Sequence, residues 1–368
     1  MSIGRPIRVC VLAFAGLFAL EGLIFHTALY RRFLEPDSST GEFELILRRE
    51  RHAQNDNGDN LVVTLGDSRF AYAPRLSNEI TAKTGYVFRH AGVAGTTARS
   101  WYYMLRDLDP TAQRYRAIVL GVSNFNDVDE YYNPYDDIRE LHYLIARLRV
   151  SDAWEFPRSF QRRDLQWQAF RGILLKATIL QTDILAFLSH PLARLATVDK
   201  NRRGYDSWTY TFEETERDMT GLLVDWRAGK FILPPGAGSE ERDTMGAEML
   251  MGAPQTGRLA AFRRQWLGRI LDRYRGSRTR IVFIRLPRGP IPCPDELKPK
   301  AESVIREFAK RQGVLLAEEH TFDSLERVEL FKDGIHLNRA GIARFSPMLA
   351  EEISRILNGG LRSAVPSE

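Results

Sequence analysis

Short apolar runs that end in polar or glycine-containing turns recur along the chain and are typical of buried parallel strands. Such runs predict five strands, at residues 61–68, 86–93, 117–123, 280–287 and 314–317. Apolar residues spaced three or four apart predict helices at 259–274, 295–312 and 341–357. Because strands and helices alternate, we predict the α/β fold class, a three-layer α/β/α arrangement around a parallel sheet of about five strands.

Residues 128–257, which follow the third predicted strand, do not continue this alternation. They predict a large inserted subdomain, which leaves residues 61–127 and 258–358 as one α/β domain. Within the insertion, residues 172–195 have a strong apolar pattern. This pattern indicates either a core helix of the insertion or a helix that lies on a membrane or docks a partner.

The N-terminal region contains a long apolar segment, the 22 residues from Val9 to Tyr30. Its length is sufficient to span a bilayer. We therefore predict a membrane anchor at residues 1–35, followed by a linker at residues 36–60. The very short tail before the segment favours a cytoplasmic N-terminus. The predicted location is the cell membrane, with a single pass and with the α/β domain extracytoplasmic (periplasmic).

Two polar residues, Glu21 and His26, interrupt the apolar segment. A cleaved signal peptide and a buried helix of a cytosolic enzyme are therefore alternative interpretations. In an anchor, Glu21 is costly in lipid, and it indicates either contact with a membrane partner or a hydrated position at the interface.

Charge and cysteine content narrow the function classes. The 368 residues carry 52 Lys and Arg against 47 Asp and Glu, and no basic tract typical of nucleic-acid arms occurs. The two cysteines, Cys10 and Cys293, exclude a disulfide-rich scaffold and a four-cysteine metal site. Zinc-protease and nucleotide-binding motifs are missing as well. We predict no nucleic-acid partner, no metal and no cofactor.

Serine, aspartate and histidine lie where a parallel sheet would bring them together. Ser68 ends the first strand in Gly66-Asp67-Ser68, and Asp333 and His336 lie three residues apart before the last helix. A serine hydroxyl is a weak nucleophile until an oriented base accepts its proton. His336 can be that base and Asp333 can orient it. The alternative interpretation is a helix cap at Asp67-Ser68 and a turn at Asp333-Gly334.

Donors for a developing oxyanion are available after the second and third strands. Gly92 and Gly95 follow the second strand, and Asn124 and Asn126 follow the third. Glycine lets a backbone N–H approach a substrate closely, and each such donor contributes roughly a hundred- to a thousandfold in rate. All four are also ordinary turn residues.

These blocks together resemble the SGNH (GDSL-like) hydrolase superfamily over about 40% of the chain, residues 61–127 and 280–357. The resemblance implies that Ser68 is the nucleophile and donates its backbone N–H to the oxyanion hole. It also implies that Gly95 is the glycine of the second block and that Asp333 and His336 form the fifth block.

The third block departs from the G-x-N-D pattern of that superfamily, because two residues separate Gly121 from Asn124. We favour Asn124 as the third oxyanion donor because it directly follows the strand, with Asn126 as the alternative. His90 is a second departure, since many members have asparagine there.

The anchor, the insertion and Arg69 after the nucleophile resemble a membrane-tethered branch of the superfamily. That likeness implies substrate binding by Arg69, an acylated glycan or small acyl ester as substrate, and a membrane-bound O-acyltransferase as partner. We therefore expect a serine esterase or an O-acyltransferase. The alternative function is a catalytically idle scaffold that binds a glycan or such an acyltransferase.

Overall fold

The computed structural model describes residues 4–52, 59–71, 76, 78–128, 135–203, 215–251, 258–298 and 300–362. The chain divides into two compact units, which we call the helical unit (residues 1–51 and 136–209) and the sheet unit (residues 52–135 and 210–368). These boundaries differ from the predicted ones. Residues 210–257 belong to the sheet unit, and the N-terminal residues belong with residues 136–209.

The strands, in chain order, are β1 Leu61–Leu65, β2 Val87–His90, β3 Ala117–Val122, β4 Leu223–Asp225, β5 Lys230–Ile232, β6 Arg280–Arg285 and β7 Val314–Leu316. Five of them form a parallel sheet in the order β2-β1-β3-β6-β7, while β4 and β5 form a separate antiparallel hairpin. Every residue of β1 and β3 is buried, so both faces of the sheet centre are covered. The predicted α/β class and five-stranded parallel sheet are confirmed.

The helices, in chain order, are α1 Gly4–Phe25, α2 Ser39–His52, α3 Ser68–Ala71, α4 Asn78–Thr84, α5 Ala98–Leu108, α6 Arg139–Leu144, α7 Glu155–Arg158, α8 Arg163–Leu174, α9 Gln181–Ser189, α10 Pro191–Arg203, α11 Ser239–Met251, α12 Arg258–Arg273, α13 Val304–Phe308 and α14 Arg339–Arg362. The core of the sheet unit joins Val62, Val119 and Val282 of the strands to Phe345 and Ile353 of α14. Apolar periodicity in α14 therefore serves to cover the sheet.

The helix predicted at residues 295–312 is wrong in extent. Among the described residues of this range, a 3-10 turn forms at Asp295–Leu297 and the short helix α13 follows at Val304–Phe308. Lys298 has an extended backbone with ψ 141°. This is the conformation favoured for a residue that precedes a proline, here Pro299.

The side on which successive strands are added to the sheet changes after β2. The chain passes from β1 outward to β2 and then places β3 on the other side of β1. In open parallel sheets, ligands bind outside the carboxyl ends of the strands at such a reversal. The turns that follow β1 and β3 are therefore the expected place for a site.

Phe70 fixes the spacing of these two turns because it packs against a glycine in each. A Cβ atom at Gly66 would lie 2.5 Å from Phe70 Cβ, and one at Gly121 would lie 2.4 Å from Phe70 Cδ1. Phe70 itself is fully buried. Both positions therefore require glycine so that the ring can lie across the ends of β1 and β3.

The helical unit includes most of the segment that was predicted to be a linker. Helix α2 lies at residues 39–52, and its side chains Phe43, Ile46 and Leu47 are buried. Thr40 Oγ1 donates a hydrogen bond of 2.6 Å to the His142 carbonyl. Residues 39–51 are thus part of a packed unit.

Helix α1 carries the apolar N-terminal segment. Its residues Ile7–Phe25, 19 in number, are long and apolar enough to cross a membrane, and residues 7–20 are exposed throughout. A candidate membrane span is therefore present where it was predicted. The side of the membrane on which the other residues lie stays a prediction.

Replacing Gly121 with alanine should lower the free energy of unfolding by about 1–3 kcal/mol, because the new methyl group overpacks against Phe70. Denaturant unfolding measures this loss. The matched control is Gly246→Ala in α11, where a Cβ would meet nothing within 4 Å. That variant should be neutral or more stable by up to about 1 kcal/mol. Equal losses at both positions would contradict the packing argument.

Candidate active site

The structure brings Ser68, His336 and Asp333 together in one hydrogen-bonded chain. His336 Nε2 lies 2.9 Å from Ser68 Oγ, and His336 Nδ1 lies 2.8 Å from Asp333 Oδ2. The carboxylate accepts a hydrogen bond from Nδ1–H. In the neutral imidazole, Nε2 is then the acceptor for the serine hydroxyl. This is the arrangement of a nucleophile, a base and a group that orients the base.

The turn after β1 presents Ser68 as the first residue of α3. Asp67 closes the turn: its carbonyl accepts from the backbone N–H groups of Phe70 and Ala71, and its carboxylate accepts from the N–H of Arg69 at 3.0 Å. Asp67 therefore stabilises the turn and does not belong to the hydrogen-bonded chain of the three residues.

The loop that carries Asp333 and His336 is held by its own backbone. Lys332 N–H donates to the His336 carbonyl at 2.9 Å, and Phe331 forms a β-bridge with Leu337. The Asp333 Oδ1 atom accepts from the N–H groups of Ile335 at 2.9 Å and His336 at 2.8 Å. The carboxylate therefore fixes the loop and the imidazole at once.

Asp333 is buried, with 1% of its surface exposed. Burial alone would raise the pKa of its carboxyl, but the charge and the hydrogen bond of His336, together with the two backbone N–H bonds, outweigh it. The pKa of Asp333 is therefore lowered from its ordinary value. The residue stays ionised and can stabilise a protonated His336.

Two arginines after β6 hold the segment that returns from β7 toward this loop. Arg285 Nη1 lies 3.0 Å from Glu326 Oε1, and Arg288 Nη2 lies 2.6 Å from Glu326 Oε2. The Arg288 backbone N–H also donates to Glu326. Because Arg285 and Glu326 are both almost fully buried, these charge-assisted bonds fix the path of the return segment.

Helix α11, within the predicted insertion, packs against the loop that carries Asp333 and His336. Gly334 N–H donates to Thr244 Oγ1 at 2.8 Å, and a Cβ at Gly334 would lie 2.6 Å from the backbone N of Met245. Glycine is therefore needed at position 334. Sequence reasoning missed Thr244. The only local signal in the sequence is Gly334 beside Asp333, and it does not indicate which residue contacts that glycine.

Glu248 on the same helix is a second residue that sequence reasoning missed. Its side chain is buried against Gly289, and a Cβ at Gly289 would meet both Glu248 Cδ at 3.3 Å and the Gly334 carbonyl oxygen at 2.6 Å. Its Oε1 atom has no hydrogen-bond partner among the described residues. Burial raises the pKa of Glu248 to about 8, with opposition from the positive charge of Arg69. The carboxyl is therefore neutral at pH 7.

Two backbone N–H groups, those of Ser68 and Gly95, are unengaged among the described residues and could serve as hydrogen-bond donors. In the described part of the chain, neither the N–H of Ser68 nor that of Gly95 donates a hydrogen bond. Gly95 has φ +68°, a left-handed conformation that favours glycine. Gly92 instead packs beside the backbone of Ala71, since a Cβ there would lie 3.0 Å from the Ala71 Cα. The role of Gly95 as an oxyanion donor stays a prediction.

Asn124 follows β3 in an Asx turn, with its Oδ1 atom accepting from the Asn126 N–H at 2.9 Å. This bond fixes which end of the amide is the acceptor and leaves the Nδ2 group as donor. No acceptor for Nδ2 occurs among the described residues. Asn124 thus retains a free, oriented donor at the carboxyl edge of the sheet.

Asn126 and Asp127 have structural partners. The Asn126 carbonyl accepts from Arg263 Nη1 at 3.0 Å. The buried carboxylate of Asp127 accepts from Arg263 Nη1 at 3.0 Å and from the Val304 N–H, at the start of α13, at 2.9 Å. This pair therefore ties the third-block turn to α12 and α13.

His90 and Arg69 both hydrogen-bond to residues in or beside the turn that follows β1. His90 Nδ1 lies 2.7 Å from Thr64 Oγ1, and Nε2 lies 2.9 Å from the Ala71 carbonyl, so the imidazole links β1, β2 and α3. Arg69 Nε lies 3.2 Å from Asp67 Oδ2. Its predicted role in substrate binding stays a prediction.

A comparison with known protein families finds no family whose model matches the chain, and no curated protein matches its sequence. No group of three or more His, Cys, Asp or Glu side chains that could hold a metal ion occurs within the described ranges. The predicted absence of a cofactor stays a prediction.

Glu248→Gln should change the pH dependence of stability. Between about pH 4.5 and pH 8, the unfolded chain releases the Glu248 proton and the folded chain keeps it, so the free energy of unfolding falls as pH rises. The slope from one group is at most about 1.4 kcal/mol per pH unit. The variant lacks this loss, and urea unfolding at pH 5 to 8 should show it gaining stability relative to the parent. The control is Glu240→Gln, at an exposed position of the same helix. A constant difference between parent and Glu248→Gln would contradict a neutral buried carboxyl.

Proposed function

We propose that the protein is a serine esterase or O-acyltransferase that acts through an acyl-enzyme on Ser68. The observation that carries the proposal is the chain of hydrogen bonds from Ser68 Oγ through His336 to Asp333, at 2.9 and 2.8 Å. Cap and turn functions of these residues do not require that a hydroxyl, an imidazole and a carboxylate from distant parts of the sequence meet in this order.

In the first half of the reaction, Ser68 Oγ attacks the carbonyl carbon of an ester while His336 Nε2 accepts the hydroxyl proton. Asp333 stabilises the imidazolium. The tetrahedral intermediate then collapses, the bond to the alcohol oxygen breaks, and His336 returns the proton to the departing alcohol. The acyl group is left as an ester of Ser68.

Charge on the carbonyl oxygen needs donors during this attack. The unengaged N–H groups of Ser68 and Gly95 and the Nδ2 group of Asn124 supply three. Such groups act mainly on the transition state because negative charge develops on the oxygen as the tetrahedral intermediate forms. Asn126 contributes through its backbone, by holding the Asn124 amide in place.

In the second half, a hydroxyl group attacks the Ser68 ester while His336 accepts its proton. The bond between the acyl carbon and Ser68 Oγ then breaks, and His336 returns the proton to Ser68. With water as the acceptor the reaction is hydrolysis, and with a sugar hydroxyl it is acyl transfer. We further propose an acylated extracytoplasmic glycan as substrate, a membrane-bound O-acyltransferase as partner, and α1 as the membrane anchor. The support for the anchor is the length and exposure of its apolar segment.

The family proposal is membership of the SGNH hydrolase superfamily with its three-layer α/β/α arrangement. It is supported by the order of the parallel strands, by the serine directly after β1, and by the Asp333-x-x-His336 loop before α14. Fold likeness alone does not define the reaction, which rests on the site.

Ser68→Ala and His336→Ala should each lower kcat for a small acetyl ester by at least about a thousandfold, since nucleophile and base act as one unit. The double variant should be scarcely slower than either single one. Steady-state kinetics of purified, folded variants measures both statements. Ser354→Ala is the control, because within the described residues that hydroxyl donates to the Ala350 carbonyl of its own helix and to no other group. Activity retained in Ser68→Ala would exclude the acyl-enzyme.

Asn124→Ala should lower kcat by roughly a hundred- to a thousandfold with little change in KM, because it removes an oxyanion donor. Asn126→Ala is the matched comparison. It retains the backbone N–H and carbonyl through which Asn126 bonds, so kcat should fall less than about tenfold. If Asn126→Ala gave the larger kcat loss, the oxyanion role would move to Asn126. Unchanged kcat in both variants would favour a scaffold function.

A further inference from the structure

Helices α9 and α10 expose an apolar surface that no described residue of the helical unit covers. Leu185, Leu188, Leu192 and Leu195 are 42–81% exposed, and α9 contains no buried residue. We call these two helices the apolar hairpin. A helix surface that faces water would ordinarily carry charged side chains. Between Asp183 and Asp199, however, His190 is the only exposed titratable side chain, since Arg194 is buried.

The hairpin is fastened to the residues that directly follow α1. Tyr30 Oη donates to Asp183 Oδ2 at 2.5 Å, and the Glu35 N–H donates to Asp183 Oδ1 at 2.9 Å. The Phe33 ring stacks on Phe187, with ring centroids 5.6 Å apart. The buried Arg194 donates to the Phe33 carbonyl at 2.9 Å. The hairpin and the end of the anchor helix are therefore parts of one packed structure.

Near the end of α1, other residues of the chain pack around the helix at a point where a membrane span would still contact lipid. Glu21 is 7% exposed, and its carboxylate accepts from the Ala177 N–H in the turn that precedes α9. If the bilayer ended at Glu21, the exposed stretch Ile7–Leu20 would supply only about 21 Å. A hydrocarbon core of about 30 Å needs the whole segment Ile7–Phe25, which is about 28 Å long.

The whole segment Ile7–Phe25 can span the bilayer only if the residues that cover Glu21 lie in the bilayer at the same depth as Glu21. This arrangement also explains how the acidic Glu21 is tolerated within the span, since other residues of the chain cover its carboxylate and keep it out of contact with lipid. The sequence alone had indicated contact with a membrane partner or hydration at the interface. Residues 174–178 of this chain provide the contact.

We propose that the apolar hairpin is inserted in the bilayer, in the leaflet at which α1 ends. The inference rests on the proposed anchor and is independent of the ester chemistry. An apolar, charge-free face joined to the end of a span is the surface that lies in the headgroup and acyl boundary of a membrane. The helical unit is then held to the bilayer by one spanning helix and one interfacial hairpin.

Single-cysteine forms of the full-length protein, labelled with an environment-sensitive fluorophore and reconstituted in phospholipid vesicles, test the proposal. Leu188→Cys and Leu192→Cys are made in a Cys10→Ser, Cys293→Ser background. Arg163→Cys, an exposed position at the start of α8, is the matched control. Cys10, retained alone, reports on α1. Quenching is measured with lipids that carry a nitroxide on the acyl chain and with iodide in the water.

We expect the lipid nitroxide to quench the probes at positions 10, 188 and 192 at least severalfold more than the probe at 163, with the reverse order for iodide. A lipid-quenched Cys10 beside iodide-quenched probes at 188 and 192 would overturn the hairpin inference and leave the anchor intact. Probes at 188 and 192 that are shielded from both quenchers would overturn it in favour of a protein contact. An iodide-quenched Cys10 would remove the anchor and the inference with it, and none of these outcomes affects the kinetics of Ser68.

Discussion

The hydrogen bond between Ser68 and His336 joins residues 268 positions apart, and most of the sheet unit serves to make it possible. Ser68 follows β1 near the centre of the sheet, whereas the chain reaches His336 only after β7 at the sheet edge. The return segment must cross back over the carboxyl ends of the strands. The buried ion pairs of Glu326 with Arg285 and Arg288 fix that path, and close glycine contacts let the loop settle against α11.

Two buried carboxyls beside this loop have opposite protonation states for clear physical reasons. Asp333 accepts two backbone N–H bonds and the His336 ring, so its charged form is stabilised and its pKa is lowered. Glu248 is buried with one oxygen unpartnered, so its neutral form is stabilised and its pKa is raised to about 8. Carboxyls whose environments separate their pKa values in this way are typical of functional sites. The ionised Asp333 accepts the hydrogen bond of His336 Nδ1, as the proposed function of His336 as a base requires.

The sequence predicts the sheet and its catalytic edge because both follow from local patterns. Buried strands are continuous apolar runs, and a parallel order places the turn after β1 and the loop before α14 on one edge. The contribution of α11 could not be predicted, because Thr244 and Glu248 act through contacts with Gly334 and Gly289 that no spacing encodes. The helix at 295–312 failed where Pro299 outweighs periodicity. The placement of residues 39–51 and 136–203 in one compact unit, despite their separation in sequence, depends on contacts that no local pattern encodes.

The central claim is that Ser68 is a nucleophile activated by His336 and oriented for attack. Treatment of the protein with a fluorophosphonate, followed by mass spectrometry of the tryptic peptides, tests this claim most directly. A single phosphonyl adduct on the peptide that contains Ser68 is expected, with labelling abolished in His336→Ala. An unmodified Ser68 in folded protein, or labelling that persists without His336, would contradict the account.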